Sequence, residues 1–404
     1  MNAVGIDVSK GKSMVAIMRP FGEVVASPYE VLHTEADLKK LVSYLKGLPG
    51  ETRVVMEYTG KYYQPIAKAL YEGGIFISVV NALLVYQYGN NSIRKGKTDK
   101  LDAIKIANYC LDRWVTLEGY IPESEIRQML KTYNRQYSQY IKLKVMLKNN
   151  LISLLDQTFP GVNSLFTSAP RKMDGHEKWV DFAAIFWHCE CVRGLSEKAF
   201  KERYSKWCKK AGYNYSAEKA ESIYSESRGH VDTLPKNDAT KLLITHAVSQ
   251  LNTITETLAT IQKEMLALSS QLPEYPAVMN MFGVGETLGP QLMAEIGDIR
   301  RFERKQSLIA FAGVDAPPYQ SGTFESKKRS ISKRGSPRLR KTLFQVMSTC
   351  LQHAPPNEPV FQFLDRKRSE GKHYYVYMTA GANKFLRIYY GTVTAYLNQL
   401  DSLS

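Results

Sequence analysis

A chain of 404 residues, 44% hydrophobic and 23% charged, is long enough for two or three separately cored domains. The charge is less ordinary: 54 Lys and Arg against 39 Asp and Glu leave a formal net charge of +15. That points to a polyanionic partner, above all nucleic acid, with a ribosome-like or membrane-surface role as the competing source of basicity. No amphipathic basic helix and no apolar run of membrane-spanning length supports a membrane role. A strand-like run begins at Asn2, so no signal peptide is expected, and the odd count of five scattered cysteines fits a reducing cytoplasm.

In chain order, residues 3–20 (AVGIDVSKGKSMVAIMRP) alternate and turn like a first strand, a Gly-Lys turn and a second strand, with Asp7 inside the first. A helical stretch from Glu35 to Leu48 precedes the short β-branched run TRVVMEY, which carries Glu57 at its end beside Thr59 and Gly60. Open α/β sheets place ligands at such carboxyl ends. In TDKLDAIKIANYC the apolar spacing predicts a helix capped by Thr98, with Asp99 and Asp102 on one face of its first turn.

After Pro122 the pattern changes to long helices. Residues 124–160 read as one helix ending near Phe159 and Pro160, and a second runs from about Ala239 to Leu272. The two could form an antiparallel or intermolecular coiled coil. Gly161 to Pro235 reads as small helices of an inserted subdomain with no identifiable chemistry. His188, Cys189, Cys191 and Cys208 there could be taken for a zinc site, but WHCEC lacks the usual two-residue gap, and ordinary buried thiols are the preferred reading. The expected division is 1–122, 123–275 and 276–404.

Asp7, Glu57, Asp99 and Asp102 each lie where a ribonuclease-H-like fold could bring them to one point. Clustered carboxylates repel unless a divalent cation holds them. Hard oxygen ligands without His or Cys favour magnesium over zinc, and two cations about 3.5 to 4 Å apart can serve phosphodiester chemistry. A lone Asp, or two in the first turn of a helix, is more often solvated or complementing the dipole; the set of four carries the metal reading.

In the third region, Gly283, Gly285 and Gly289 of GVGETLG precede a helix through Ile296. The pattern is similar to a helix-hairpin-helix turn, whose backbone N–H groups at Gly283 and Gly285 would meet a DNA phosphate; plain packing is the alternative. Eight Lys or Arg follow between Ser326 and Lys341 with no acid among them: Lys327, Lys328, Arg329, Lys333, Arg334, Arg338, Arg340 and Lys341. Punctuated by Gly335 and Pro337, this segment reads as a phosphate-binding loop entering a helix. Just ahead, Ser321 precedes Gly322 after a proline-bearing turn. A serine beside such charge could attack a phosphodiester, or it could be an ordinary turn residue.

GIDVSK, MEYTG, KTDKLDA, GVGETLGPQLMAEIGD, FAGVDAPPYQSG and ISKRGSPRLRK, in this order, resemble the DEDD transposases of bacterial insertion sequences. The resemblance implies α/β plus all-α architecture: an N-terminal RuvC-like domain, long coiled-coil helices and a mostly helical C-terminal transposase domain. It implies that Asp7, Glu57, Asp99 and Asp102 bind Mg2+ or Mn2+, and that Ser321 is the nucleophile of a covalent 5′-phosphoserine intermediate, with Ser326, Ser330 and Ser332 as alternatives. Implied partners are donor and target DNA, a structured bridge RNA that pairs with each, and further copies of the chain in a dimer or tetramer, acting at the nucleoid in the bacterial cytoplasm. Lys10 and Lys12, beside Asp7, are candidates for contact with the scissile strand or the RNA. Two other classes remain open: a metal-dependent junction-resolving nuclease in which Ser321 is structural, and a non-catalytic nucleic-acid-binding protein. A tyrosine recombinase is not supported, because no His-x-x-Arg pattern precedes a suitable tyrosine.

Overall fold

The computed structural model describes residues 1–88, 98–318, 320–321, 324–325 and 330–403, with only the backbone of Ser321, Phe324 and Glu325. These residues form two compact units, Met1–Pro122 and Glu123–Ser404.

The first unit is built on β1 (Asn2–Ser9), β2 (Lys12–Met18), β3 (Val24–Leu32), α1 (Glu35–Gly47), β4 (Thr52–Glu57), α2 (Gln64–Glu72), β5 (Phe76–Val80), α3 (Ala82–Tyr88) and α4 (Asp99–Asp112). The sheet runs in the order β3-β2-β1-β4-β5. β1 to β3 form an antiparallel meander, while β1, β4 and β5 are parallel. Gly11, at φ +79°, supplies the left-handed turn between β1 and β2. Strand β1 is apolar on both faces because both are covered. Val4, Ile6 and Val8 pack with Leu41 and Leu45 of α1 and Ile66 and Leu70 of α2. On the other face, Ala3 and Val55 pack with Ile106 and Cys110 of α4. Thr98 caps α4 as its position predicts, its Oγ1 accepting from the Leu101 N–H at 3.2 Å.

The second unit is mostly helical: α5 (Glu125–Leu155), α6 (Lys178–Ile185), α7 (Glu190–Arg193), α8 (Glu197–Ala211), α9 (Ala217–Gly229), α10 (Asp238–Ser269), α11 (Tyr275–Met279), α12 (Leu288–Ile296), α13 (Lys305–Ala312), the short hairpin β6 (Gln320–Ser321) and β7 (Phe324–Glu325), α14 (Pro337–His353), α15 (Pro359–Ser369) and α16 (Tyr374–Leu403). Helices α5 and α10 pack along each other in opposite directions. Leu130, early in α5, shares a core with Ile261 and Met265 late in α10. Leu151 and Leu155 share another with Ile244 and Leu251. The first core continues through α11 to α16, and the second through the aromatic side chains of α6 to α9. At one end of the pair the Arg127 guanidinium donates to both Glu274 oxygens, at 2.6 and 2.9 Å, with both side chains buried.

Helix α5 stops at Leu155, short of the expected end near Phe159 and Pro160. The chain turns there because Phe159 is fully buried in the aromatic core and its N–H closes back on the Leu155 carbonyl at 2.6 Å.

Candidate active site and nucleic-acid interface

The register of β1 on β4 sets Gly5 beside Val55 and Ile6 beside Met56, so Asp7 and Glu57 are the next neighbours at the carboxyl ends of two parallel strands. The period of two puts them on the face of Ala3, Gly5 and Val55, which is the face α4 covers. A Cβ built on Gly5 would stand 2.1 Å from the Ala103 carbonyl oxygen and 2.2 Å from the Ala107 nitrogen, so the helix touches the strand backbone there. Cys110 and Ile106 lie over Ala3, and Ala107 and Ala103 over Gly5. The next turn back along α4, bearing Asp102 and Asp99, therefore reaches the end of β1 that bears Asp7. Asp7, Glu57 and Asp102 are half-buried and Asp99 is exposed.

These four positions share one corner of the first unit. Among the described residues, however, the only group of three or more potential ligands with atoms within 4.8 Å of one another is His188, Cys189 and Asp232. The acidic corner is thus a set of neighbouring carboxylates rather than a closed ligand shell. Its donor chemistry, all oxygen with no sulfur or imidazole, fits a hard divalent cation. Lys10 is exposed at the adjoining turn. Lys12 is tied to Glu30 at 2.7 Å, which holds its ammonium above the usual pKa, with a smaller contribution from Asp99.

In the second unit, the segment containing Ser321 leaves and returns through a clamp. The Ser332 N–H donates to the Asp315 carbonyl at 2.8 Å, Lys333 N–H to Gly313 at 3.1 Å and Ser336 N–H to Phe311 at 2.8 Å. The Ser332 hydroxyl also donates to the Asp315 carboxylate. Gly313, at φ +65°, and Gly335 permit this approach: a Cβ on Gly335 would stand 2.2 Å from the Phe311 carbonyl oxygen. Lys333 itself has φ +54°, a costly conformation outside glycine that the clamp enforces. Ser336 caps α14 and donates to buried Glu295 at 3.0 Å, whose other oxygen accepts from Asn134 of α5. Lys333, Arg334, Arg338 and Lys341 are exposed around this helix start, while half-buried Arg340 donates to the Ala312 carbonyl at 2.9 Å. The helix dipole adds to their positive field. Ser321 is described only as backbone in β6, paired with Phe324; Lys327, Lys328, Arg329 and Ser326 lie outside the described residues.

The glycine turn has two parts. Gly283, at φ +78°, is packed so that a Cβ would lie 2.9 Å from the Cys350 sulfur, and Gly289 would meet the Met279 sulfur at 2.4 Å, whereas Gly285 faces open space. Packing therefore accounts for the lack of a side chain at Gly283 and Gly289. The cysteine-rich segment brings His188 and Cys189 together with Asp232, not with Cys191 or Cys208. The Glu190 N–H donates to His188 Nδ1 at 3.1 Å and Nε2 lies 3.0 Å from the Leu234 carbonyl, so both ring nitrogens are engaged. Burial and the neighbouring Asp232 push the Cys189 thiol up to about 11, in line with the reading of these cysteines as buried thiols.

A family model for DEDD transposases matches residues 4–160, spanning all four acids, and one described as the transposase IS116/IS110/IS902 family matches residues 275–362, spanning the clamp and Ser321. The chain belongs to this transposase family. The protein of insertion element IS110 from Streptomyces coelicolor is 20% identical over 371 residues, 91% of this chain and 88% of that one. That of IS116 from Streptomyces clavuligerus is 21% identical over the same shares. A Sinorhizobium fredii protein named as a transposase is 33% identical over 103 residues, 24% of this chain and only 26% of its own length. This family member is a DNA transposase, an enzyme with DNA as substrate, and no described helix is long and apolar enough to cross a membrane.

The sequence pointed to basic residues only as far as Lys341. Asn383, Lys384 and Arg387 of α16 also line a cavity with Lys333 and Lys341. Their signal, polar residues recurring every three to four positions on an aromatic-rich helix, was present but hidden by the apolar residues between them.

Proposed function

We propose that this transposase cuts and rejoins donor and target DNA through Ser321, with Asp7, Glu57, Asp99 and Asp102 of a RuvC-like domain holding Mg2+ or Mn2+ near the phosphodiester. The single observation that supports the reading is the placement of the four acids on neighbouring ends of β1, β4 and α4, within the stretch matched by the DEDD family model. The meander joined to two parallel strands and a covering helix is the architecture expected of a ribonuclease-H-like domain.

When bound, the metal would supply Lewis-acid stabilisation of charge on phosphate oxygens. The serine oxygen attacks phosphorus, the bond from phosphorus to the 3′ oxygen breaks, and the serine proton ends on the released 3′ hydroxyl. A 3′ hydroxyl then attacks the 5′-phosphoserine and restores the serine, so no external energy source is consumed. The cations Lys333, Arg334, Arg338 and Lys341, with Lys327, Lys328 and Arg329, would hold phosphates and screen the developing charge. Lys10, Lys12 and the open turn at Gly285 are further backbone contacts in this scheme.

A bridge RNA pairing with each DNA would supply base selection, in keeping with a basic chain that has to read shape and backbone. The α5–α10 pair would act as a coiled coil joining copies into a dimer or tetramer. Exposed Val145 and Met146 on α5, and Leu242 and Leu243 on α10, support such an association. The three working regions would be 1–122, 123–275 and 276–404, and the site of action the bacterial cytoplasm at the nucleoid. A second reading, a metal-dependent junction nuclease, is favoured by one fact: the acidic corner is assembled wholly within the first unit.

Incubating the purified chain, its element RNA and magnesium with end-labelled donor and target DNA separates the two. A covalent protein–DNA band that Ser321→Ala abolishes is expected. Free nicked product unaffected by Ser321→Ala would overturn the serine mechanism and leave the nuclease.

A further inference from the structure

The two ends of the clamped segment open onto a cavity of about 1020 Å3 formed by α14, α15 and α16. Its floor is fixed by close packing, since a Cβ on Gly381 of α16 would stand 2.4 Å from a Leu364 methyl of α15 and 2.9 Å from the Met347 sulfur of α14. Two kinds of surface meet in it. Lys333, Lys341, Lys384 and Arg387 bring positive charge from three chain segments, and no carboxylate is among the described lining residues. Arg387 is held in place by its Nε–H, which donates to Asn383 Oδ1 at 2.9 Å. The rings of Phe344, Phe363 and Tyr375 reach the same space, and Tyr375 is 64% exposed at the start of α16.

A duplex presents mainly phosphates and groove edges to a protein surface, so cations alone would suit it. An exposed ring, Tyr375, with half-buried Phe344 and Phe363 in a cationic cleft suits an unpaired strand, whose phosphates take the cations and whose bases stack on an aromatic face. The cavity is at the upper end of the roughly 300–1,000 Å3 that encloses a drug-sized ligand, which gives room for unstacked bases. Val314 and Ala316 line it just before the segment that carries Ser321, and Ser330 and Ile331 just after. We infer that this cavity binds an unpaired DNA strand, with Lys384 and Arg387 gripping its phosphates and Tyr375 stacking on a base.

The inference rests on the chain acting on nucleic acid, not on Ser321 being the nucleophile. A strand freed from its complement would be held beside the segment that the proposed chemistry uses.

Fluorescence anisotropy on the full chain tests it, with labelled oligothymidylate, oligouridylate and blunt duplex DNA of matched length across a salt series. Lys384→Ala/Arg387→Ala is expected to weaken oligothymidylate binding roughly tenfold and to lower the salt slope by about 1.4, the share of two phosphate contacts on a single strand. Tyr375→Ala is expected to weaken it roughly tenfold with the slope unchanged, and Tyr375→Phe to keep it, because stacking needs the ring and not the hydroxyl. Tyr375→Ala should change duplex affinity by less than about twofold, since a duplex cannot offer stacked-out bases. Unchanged oligothymidylate binding in these variants, or an equal loss on duplex and single strand in Tyr375→Ala, would overturn the proposal. Tighter binding of oligouridylate through the same residues would overturn the assignment to DNA in favour of RNA. Ser321→Ala is expected to bind oligothymidylate as wild type does, so a failed serine mechanism and a failed binding site give different results.

Discussion

Gly5 of β1 lies under Ala103 of α4 so closely that a Cβ on Gly5 would stand 2.1 Å from the Ala103 carbonyl oxygen. Backbone on both sides leaves nothing flexible to yield, and the same contact sets how far α4 reaches toward Asp7. Gly5→Ala should therefore move the helix and its two acids together. A loss of about 1–3 kcal/mol in stability is expected from overpacking, seen as a lower melting temperature, together with a disproportionate loss of DNA cleavage. Wild-type melting and cleavage in this variant would disprove the role of the contact.

Asp7→Asn and Glu57→Gln keep side-chain shape and remove one charge each from the acidic corner. Cleavage of labelled donor DNA should fall by about a hundredfold or more, the scale on which one preorganised electrostatic group acts. Nucleic-acid binding should hold or tighten, since a charge that repels phosphate has gone. Undiminished cleavage in both variants would remove the corner from the chemistry.

The Arg127–Glu274 pair joins the start of α5 to the chain just past α10, with side chains only 9% and 3% exposed. Removing one partner leaves a buried charge without its counterion. Arg127→Met or Glu274→Gln should each cost about 3–5 kcal/mol, whereas the double replacement Arg127→Met/Glu274→Leu should recover most of it. Chemical denaturation of the three variants measures this, and a double variant as unstable as the worse single one would contradict it.

Asp174 accepts from the Arg171 guanidinium, and that hydrogen bond holds its carboxyl below the ordinary value of 3.8. A depressed folded-state pKa contributes stability that is present above the unfolded value and is lost as pH falls through the lower folded value. Asp174→Asn should be less stable than wild type at neutral pH, with the gap closing below about pH 4. Melting curves across pH 2 to 7 would refute this if the gap stayed constant.

The helices and strands around the site could be read locally. The turn at Gly11, the end of β4 at Glu57 and the Thr98 cap of α4 each depend on a few adjacent residues. The end of α5 could not, because Phe159 turns away to fill an aromatic core supplied by residues as far along the chain as Tyr224. The meeting of His188 and Cys189 with Asp232 was illegible for the same reason. Lys384 and Arg387 stand far along the chain from Lys333, and only the packing of α16 on α14 turns them to a common cavity.

The sequence by itself determined the basic charge, the ordered motifs with their acids, and the alternation of short strands with helices in the first 122 residues, because composition and short-range periodicity are local properties of the chain. Only the tertiary structure decided which glycines admit a neighbouring backbone, how α4 lies on β1, and which distant cations share one cavity. Those depend on close packing between segments remote in sequence, where a single Cβ or methyl group settles whether two elements can touch.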